Sequence, residues 1–225
     1  MHDLWARLRT HWNRTDSTVV VSNTFAFGLF IGNCWWESVL VCFAAPSLPL
    51  LVQIALAVRD RSGTLSHALI VGGVVAWLWP VGEYFVVHVF GWWGEYLAPG
   101  PKVLDTALYC VLVGWIASAY CAYVGRRTVE MGYGMFASGG MSGSTALVIG
   151  LIGENLFVGA KMWVYDPSGL DAWSVPLFVP VAYGLSFGLL PMFNRLSRWP
   201  AALAFSTLVF TITVSLGIVT GFFPR

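Results

Sequence analysis

Charge is what this sequence has least of. Only 10 % of its 225 residues are Asp, Glu, Lys or Arg, against about 25 % in a soluble domain, and so few charges cannot coat a water-facing surface. That excludes a soluble enzyme, and a net charge of +1 gives no attraction to a polyanion, so no nucleic-acid partner is expected. Lysine is scarcer still: Lys102 and Lys161 both stand near the outer boundary of apolar runs, and not deep in a late span, where a retinal Schiff base would need one. Several catalytic motifs are also missing. There is no DDxxD or DxDD run, which sets aside a pyrophosphate-ionising magnesium site and the soluble-cyclase acid motif, and no GxxxxGK(S/T), GxSxG or HExxH. Cys34, Cys42, Cys110 and Cys121 lie in apolar stretches without a CxxC pair and read as packing residues. His2, His11, His67 and His88 have no metal-ligand spacing. No metal and no cofactor is expected.

What the chain has is apolar length: 57 % hydrophobic residues and a mean hydropathy of +0.72. At about 20 apolar residues per crossing, this is one transmembrane domain over 1–225. The runs between charges predict seven spans, at approximately 18–43, 46–58, 66–91, 103–124, 138–164, 174–193 and 200–221. The expected fold is an all-α integral membrane protein, a seven-transmembrane helix bundle. Its second span is short, but charge placement supports counting it. With seven spans, nine of the twelve basic residues fall on the side that holds the N-terminus, which places that terminus in the cytoplasm and the C-terminus outside. Residues 1–16 are too polar for a cleaved signal and read as an interfacial lead-in, with Trp5 and Trp12 at the headgroups. The excess of arginine over lysine hints at a GC-rich genome, and so at a bacterial plasma membrane.

Gly139 and Gly143, with Ser138 and Ser142, have the small-xxx-small spacing that lets helices approach closely. Pro176, Pro180 and Pro191 are expected to bend span six. A faint internal echo is visible: Gly82-Glu83 precedes Trp92 at the same spacing as Gly153-Glu154 precedes Trp163.

Three acids lie inside spans, where an ionisable side chain costs about 2.5–3.5 kcal/mol to insert and therefore usually faces a cavity or a partner. Glu37, Glu83 and Glu154 belong to spans one, three and five, which run in one direction, and they sit at similar distances from their span starts. At 1.5 Å rise per residue this predicts a shared level in the outer half of the bilayer. Asn33 is one turn before Glu37, placed to orient it, and Trp79 is one turn before Glu83, beside Pro80. Lys161 is two turns beyond Glu154 on the same face, a possible cation for it. The outer ends of these spans are rich in aromatics: Trp35, Trp36, Tyr84, Phe85, Trp92, Trp93, Tyr96, Trp163, Tyr165 and Trp173. An interfacial belt accounts for such residues in general. Trp36, Trp79 and Tyr84 lie deeper, where ring faces could stabilise a carbocation. Asp105, Tyr165 and Asp166 are candidates for gating the outer mouth.

Two functional classes follow from these residues. One is an enzyme whose buried carboxyl groups give and take protons on a lipophilic substrate arriving from the membrane lipid. The other is a proton- or ion-coupled transporter using the glutamates. Against transport, polar residues do not run through the full thickness. A third reading makes the glutamates hydrogen-bonding glue between helices.

The stretch Asn33-Cys34-Trp35-Trp36-Glu37, followed by an aliphatic turn and Pro46, resembles the N-x-x-W-E segment of the small seven-span membrane terpene cyclases of meroterpenoid and indole-diterpene pathways and their bacterial relatives. The resemblance implies a metal-independent isoprenoid cyclase in which Glu37 helps protonate an epoxide or terminal alkene. The family's second acid lies near the C-terminus, where this chain has none, so Glu154 or Glu83 would serve. From span five onward the chain is similar in pattern to membrane carotenoid hydratases, which also protonate an isoprenoid double bond. The site expected from these readings has Glu37, Glu154 and Glu83 as acid and base. Asn33, Trp36, Trp79, Tyr84, Trp163, Tyr165 and Asp105 are expected around the substrate, an isoprenoid.

Overall fold

The structure, a computed structural model, describes residues 10–60, 63–91, 94–165 and 171–221. Trp5, Trp92, Trp93 and Asp166 lie outside these residues. The helices are α1 (Arg14–Trp36), α2 (Val39–Arg59), α3 (Thr64–Phe90), α4 (Leu108–Glu130), α5 (Met135–Val148), α6 (Glu154–Gly159), α7 (Phe178–Leu189) and α8 (Arg198–Val219). A π turn, Ile149–Gly153, joins α5 to α6, and a 3-10 turn, Leu190–Arg195, extends α7. Among the described residues, six helical runs are long and apolar enough to cross a membrane: α1, α2, α3, α4, the continuous Met135–Gly159 run and α8. The architecture is an all-α bundle whose length and composition fit a membrane protein. The run expected as span six is a shorter apolar helix, because its proline-rich beginning forms a strand and α7 starts only at Phe178.

Other expected boundaries fail as well: the helix of span four starts only at Leu108, and that of span five ends at Gly159, so that Trp163 and Val164 fall in a strand. The apolar run 18–43 is not one helix but two, broken at Glu37, whose left-handed φ of 50° ends α1. The turn is held by Asn33, whose Oδ1 accepts the Ser38 N–H at 2.8 Å while its Nδ2 donates to Cys42 Sγ at 3.4 Å. The following helix therefore begins at Val39 and runs through Pro46 and Pro49, longer than the short second span expected.

At one end of the bundle the loops are charged. Asp16 is buried at 2 % exposure in the first turn of α1. It accepts from Arg127 Nε at 2.8 Å, Arg127 Nη2 at 3.0 Å and the Tyr123 hydroxyl at 2.6 Å. Arg127 also donates to Glu130 at 3.2 Å, and the Thr64 hydroxyl donates to Glu130. This network ties α1, α3 and α4 together.

The opposite end is capped by short strands: β1 (Gly94–Tyr96), β2 (Lys102–Val103), β3 (Thr106–Ala107), β4 (Trp163–Tyr165), β5 (Asp171–Ala172) and β6 (Val175–Pro176). Two tight hairpins, β2–β3 and β5–β6, turn through residues of left-handed φ at Leu104 and Trp173. Between them β1 and β4 pair antiparallel, with Tyr96 opposite Trp163 and Gly94 opposite Tyr165.

The faint sequence echo is the trace of a repeated architecture. A helix carrying Gly-Glu, then a strand, a hairpin and a helix occur in that order twice: α3, β1, β2–β3, α4 and α5–α6, β4, β5–β6, α7. Gly72 and Gly143 stand the same number of residues before Glu83 and Glu154, and both mark close helix approach. A Cβ on Gly72 would meet the Ala119 backbone of α4; one on Gly143 would lie 2.7 Å from the Gly184 oxygen of α7, and one on Gly139 would overlap the Gly188 carbonyl. The small-xxx-small spacing thus packs α5 against α7. Gly143→Val is expected to lower stability by about 1–3 kcal/mol through overpacking. Gly140→Ala, whose added carbon meets nothing within 4 Å, should be neutral or slightly stabilising. Thermal unfolding of both variants in detergent checks the contrast.

Candidate active site

Two buried apolar clusters fill the bundle, one among α3, α4 and α8 around Leu65, Ile116 and Phe205, the other beneath the strands around Tyr109, Phe157 and Trp163. Between them lies a cavity of about 110 Å³, walled by α3, α4, α5, α7 and the paired strands. Two of the three expected acids, Glu83 and Glu154, line it.

Glu83 is reached by α3 one turn after Trp79, so the two side chains share a helix face. Its carboxylate is 4 % exposed and accepts the Trp79 indole N–H at 2.5 Å, the Tyr96 hydroxyl at 2.7 Å from each oxygen, and the Thr106 hydroxyl. Glu154 is delivered differently. The π turn inserts wider backbone spacing immediately before it, a distortion often found at functional sites. Its carboxylate, 7 % exposed, accepts the Tyr165 hydroxyl at 2.8 Å and the Tyr183 hydroxyl at 3.0 Å. The repeat extends into the chemistry, since each acid takes a tyrosine from the strand that follows its own helix, and those strands are partners. Burial, reinforced by the neighbouring glutamates, pushes the Tyr96 and Tyr165 phenols well above their ordinary range. They stay protonated and remain donors at neutral pH.

Hydrogen bonds rather than ion pairs satisfy both carboxyl groups among the described residues. The rest of the wall is apolar or aromatic. Trp79 stands edge to face with Tyr183 at 6.5 Å, and Trp163 stacks at a tilt on Phe157 at 5.1 Å. The Trp163 indole N–H is buried, lines the cavity, and has no partner of hydrogen-bond geometry among the described residues. The site is thus a small apolar chamber with two carboxyl groups, aromatic ring faces and the buried Trp163 N–H beside Glu154 and Tyr165.

Glu37 does not reach this chamber. Because α1 ends at Glu37, the carboxylate projects from a turn; its side chain is half exposed and pairs with Lys161 Nζ at 2.6 Å. Lys161 therefore serves Glu37 and not Glu154, and Asn33 braces the turn instead of orienting the Glu37 carboxylate. Trp36 lies outside as well, 63 % exposed, with its ring against Gly32. Tyr84 is exposed and stacks on His88 with ring centroids 4.2 Å apart, and Asp105 pairs with His88 at 2.9 Å on the surface. Glu37, Asn33, Trp36, Tyr84 and Asp105 are therefore not walls of the cavity. Trp79, Trp163 and Tyr165 are, Trp79 and Tyr165 as hydrogen-bond donors to the acids. A half-exposed ion pair contributes at most about 1 kcal/mol, so Glu37→Gln is expected to shift unfolding only slightly and to leave any chemistry of the chamber in place; measuring the two side by side checks its exclusion from the site.

Sequence reading passed over Tyr183, Thr106 and Cys110 as site residues, and placed Tyr96 only among the aromatics at the helix ends. All four line the cavity or bond its acids. Tyr96 carries a usable signal: in both repeats a tyrosine follows the Gly-Glu pair on the next strand. Tyr183 and Thr106 carry none, because tertiary packing alone brings them to the carboxylates. Comparison with family models, with curated proteins and with solved structures finds no match.

Proposed function

We propose that the chain is a seven-span integral membrane enzyme with a cytoplasmic N-terminus that protonates a double bond of an isoprenoid and guides the resulting carbocation to a ring. The observation that carries this reading is the meeting of Glu83 and Glu154, from different helices, on one apolar, aromatic-walled chamber. The Trp79 indole can only donate, so it keeps Glu83 Oε1 an acceptor; Tyr165 and Tyr183 can donate or accept, and suit a protonated Glu154. Glu154 is accordingly the acid and Glu83 the base. Glu154 gives its proton to the terminal C=C, forming a C–H bond and a tertiary cation. The electron pair of an internal C=C closes the ring and moves the cation. Glu83 then removes a proton from the adjacent carbon, a new C=C forms, and the product is an isomer of the substrate. Before the next turnover Glu83 releases that proton to solvent and Glu154 takes one up from solvent. Ring faces of Trp79, Trp163 and Tyr183 offset the positive charge, and the apolar wall keeps bulk water from the cation.

A second outcome of the same initiating step follows from the polar groups that line the chamber, Glu83, Glu154 and the Trp163 N–H: a water held among them adds to the cation, loses a proton to Glu83, and the product is an alcohol. Incubating membranes that contain the chain with farnesyl-, epoxyfarnesyl- and geranylgeranyl-bearing substrates tests both. A product of unchanged mass supports cyclisation, and one heavier by a water supports hydration. No product, together with proton or ion flux in proteoliposomes, overturns the enzyme reading in favour of transport.

A further inference from the structure

The acid chamber is too small for a whole isoprenoid. At about 110 Å³ it is smaller than the engineered cavity of about 150 Å³ that accepts one benzene, so it admits roughly one five-carbon unit. The remainder of any longer chain must lie elsewhere. On the outer surface of the bundle a groove of about 230 Å³ runs between α1, α4 and the π turn, and it shares four walls with the chamber: Val113, Ala117, Ile149 and Phe157. An aromatic file leads from one to the other. Phe30 in the groove stands edge to face with Phe157 at 4.9 Å, and Phe157 stacks on Trp163 in the chamber. The partition between them includes the single methyl of Ala117. A second groove, between α3 and α8, also borders the chamber, but there the partition includes the Trp79 indole, which its bond to Glu83 holds in place.

We propose that the α1–α4 groove is a tail site for a linear isoprenoid several units long, which passes its terminal unit across Ala117 to the acids. This rests on the reading of the chamber as the place of protonation, and it narrows the substrate class to long chains of which only one end reacts. Continuity commits the occupant: the groove shares Val113, Ala117, Ile149 and Phe157 with the chamber that holds the carboxyl groups, whereas a membrane acyl chain needs no such neighbour.

The test does not depend on turnover. The full chain in lipid nanodiscs is irradiated with geranylgeraniol analogues that carry a diazirine at either end, and the adducts are mapped by mass spectrometry. The terminal-end probe should label chamber residues such as Cys110 and Trp163, and the head-end probe the groove face of α1 around Phe27. Ala117→Trp, which fills the partition, should lower chamber labelling by about tenfold, equivalent to about 1.4 kcal/mol in occupancy, while labelling of the groove persists. Labelling of the α3–α8 groove instead, or of the chamber equally by a saturated alcohol of the same length, would overturn the tail site. If the map is as expected but no isoprenoid is converted, the tail site stands and the catalytic reading of the acids falls.

Discussion

Glu154→Gln is expected to lower turnover by about 10²–10⁴-fold, the usual contribution of a positioned proton donor, with little change in unfolding temperature. The amide has nearly the shape of the carboxyl group it replaces, and Tyr165 and Tyr183 can adjust by donating to its oxygen and accepting from its nitrogen. The proton to be given is gone, and little else is. Glu83→Gln should have an effect of similar size on the later proton abstraction, because an amide oxygen is no base. Its oxygen can still take the Trp79 and Tyr96 donors, and its nitrogen can face Thr106. The double variant should be little worse than the poorer single one, since residues acting as a unit lose their effect together. If the acids were only interhelical glue, the ranking would reverse, with lower unfolding temperatures and no selective loss of chemistry. Rates per folded protein, measured beside thermal unfolding, separate these results.

Asp16→Ala is expected to destabilise the bundle by about 1–3 kcal/mol, the cost of removing the acceptor from buried donors. Arg127 Nε and the Tyr123 hydroxyl lose their acceptor, while Arg127 Nη1 keeps Glu130 and Nη2 keeps the His11 carbonyl. Replacing both partners with apolar residues of similar volume, Asp16→Leu with Arg127→Met, should recover much of the loss, because the desolvation of both charges disappears with the pair. Unfolding of the three variants in detergent, monitored by tryptophan fluorescence, gives the order. The network lies at the end of the bundle away from the strands, so the folded fraction of each variant should keep its turnover.

How much of this was legible in the sequence depends on which interactions are local. Glu83 and its Trp79 partner were, because one helical turn separates them and both stand inside a continuous apolar run. Glu154 was legible as an acid in a span. Close packing by Gly139 and Gly143 followed from spacing alone. Glu37 was misread because hydropathy is blind to a turn between two apolar segments: Trp35, Trp36, Val39 and Leu40 make the run look unbroken, and neither proline nor glycine marks the break. The break comes from a non-glycine residue in left-handed conformation, braced by an asparagine side chain that accepts from the next residue's backbone. The shared level of the three acids was a fair inference from counting, but one of them stands where its helix ends and turns away from the interior. The paired strands and hairpins were invisible as such, being two or three residues long, and they supply Tyr96, Thr106 and Tyr165. Three of the five donors to the two acids therefore come from parts of the chain with no periodicity to read.

Deuterium labelling reads the first chemical event. Membranes containing the wild-type chain are supplied with a linear isoprenoid in deuterated water, and the product is examined for deuterium that does not wash out in ordinary water. Protonation by Glu154, whose acid proton exchanges with solvent, should leave one deuterium on the carbon of the former terminal double bond, and Glu154→Gln should give no such product. A product formed without deuterium, or formed equally by the Gln variant, would mean that these buried acids do not start the reaction.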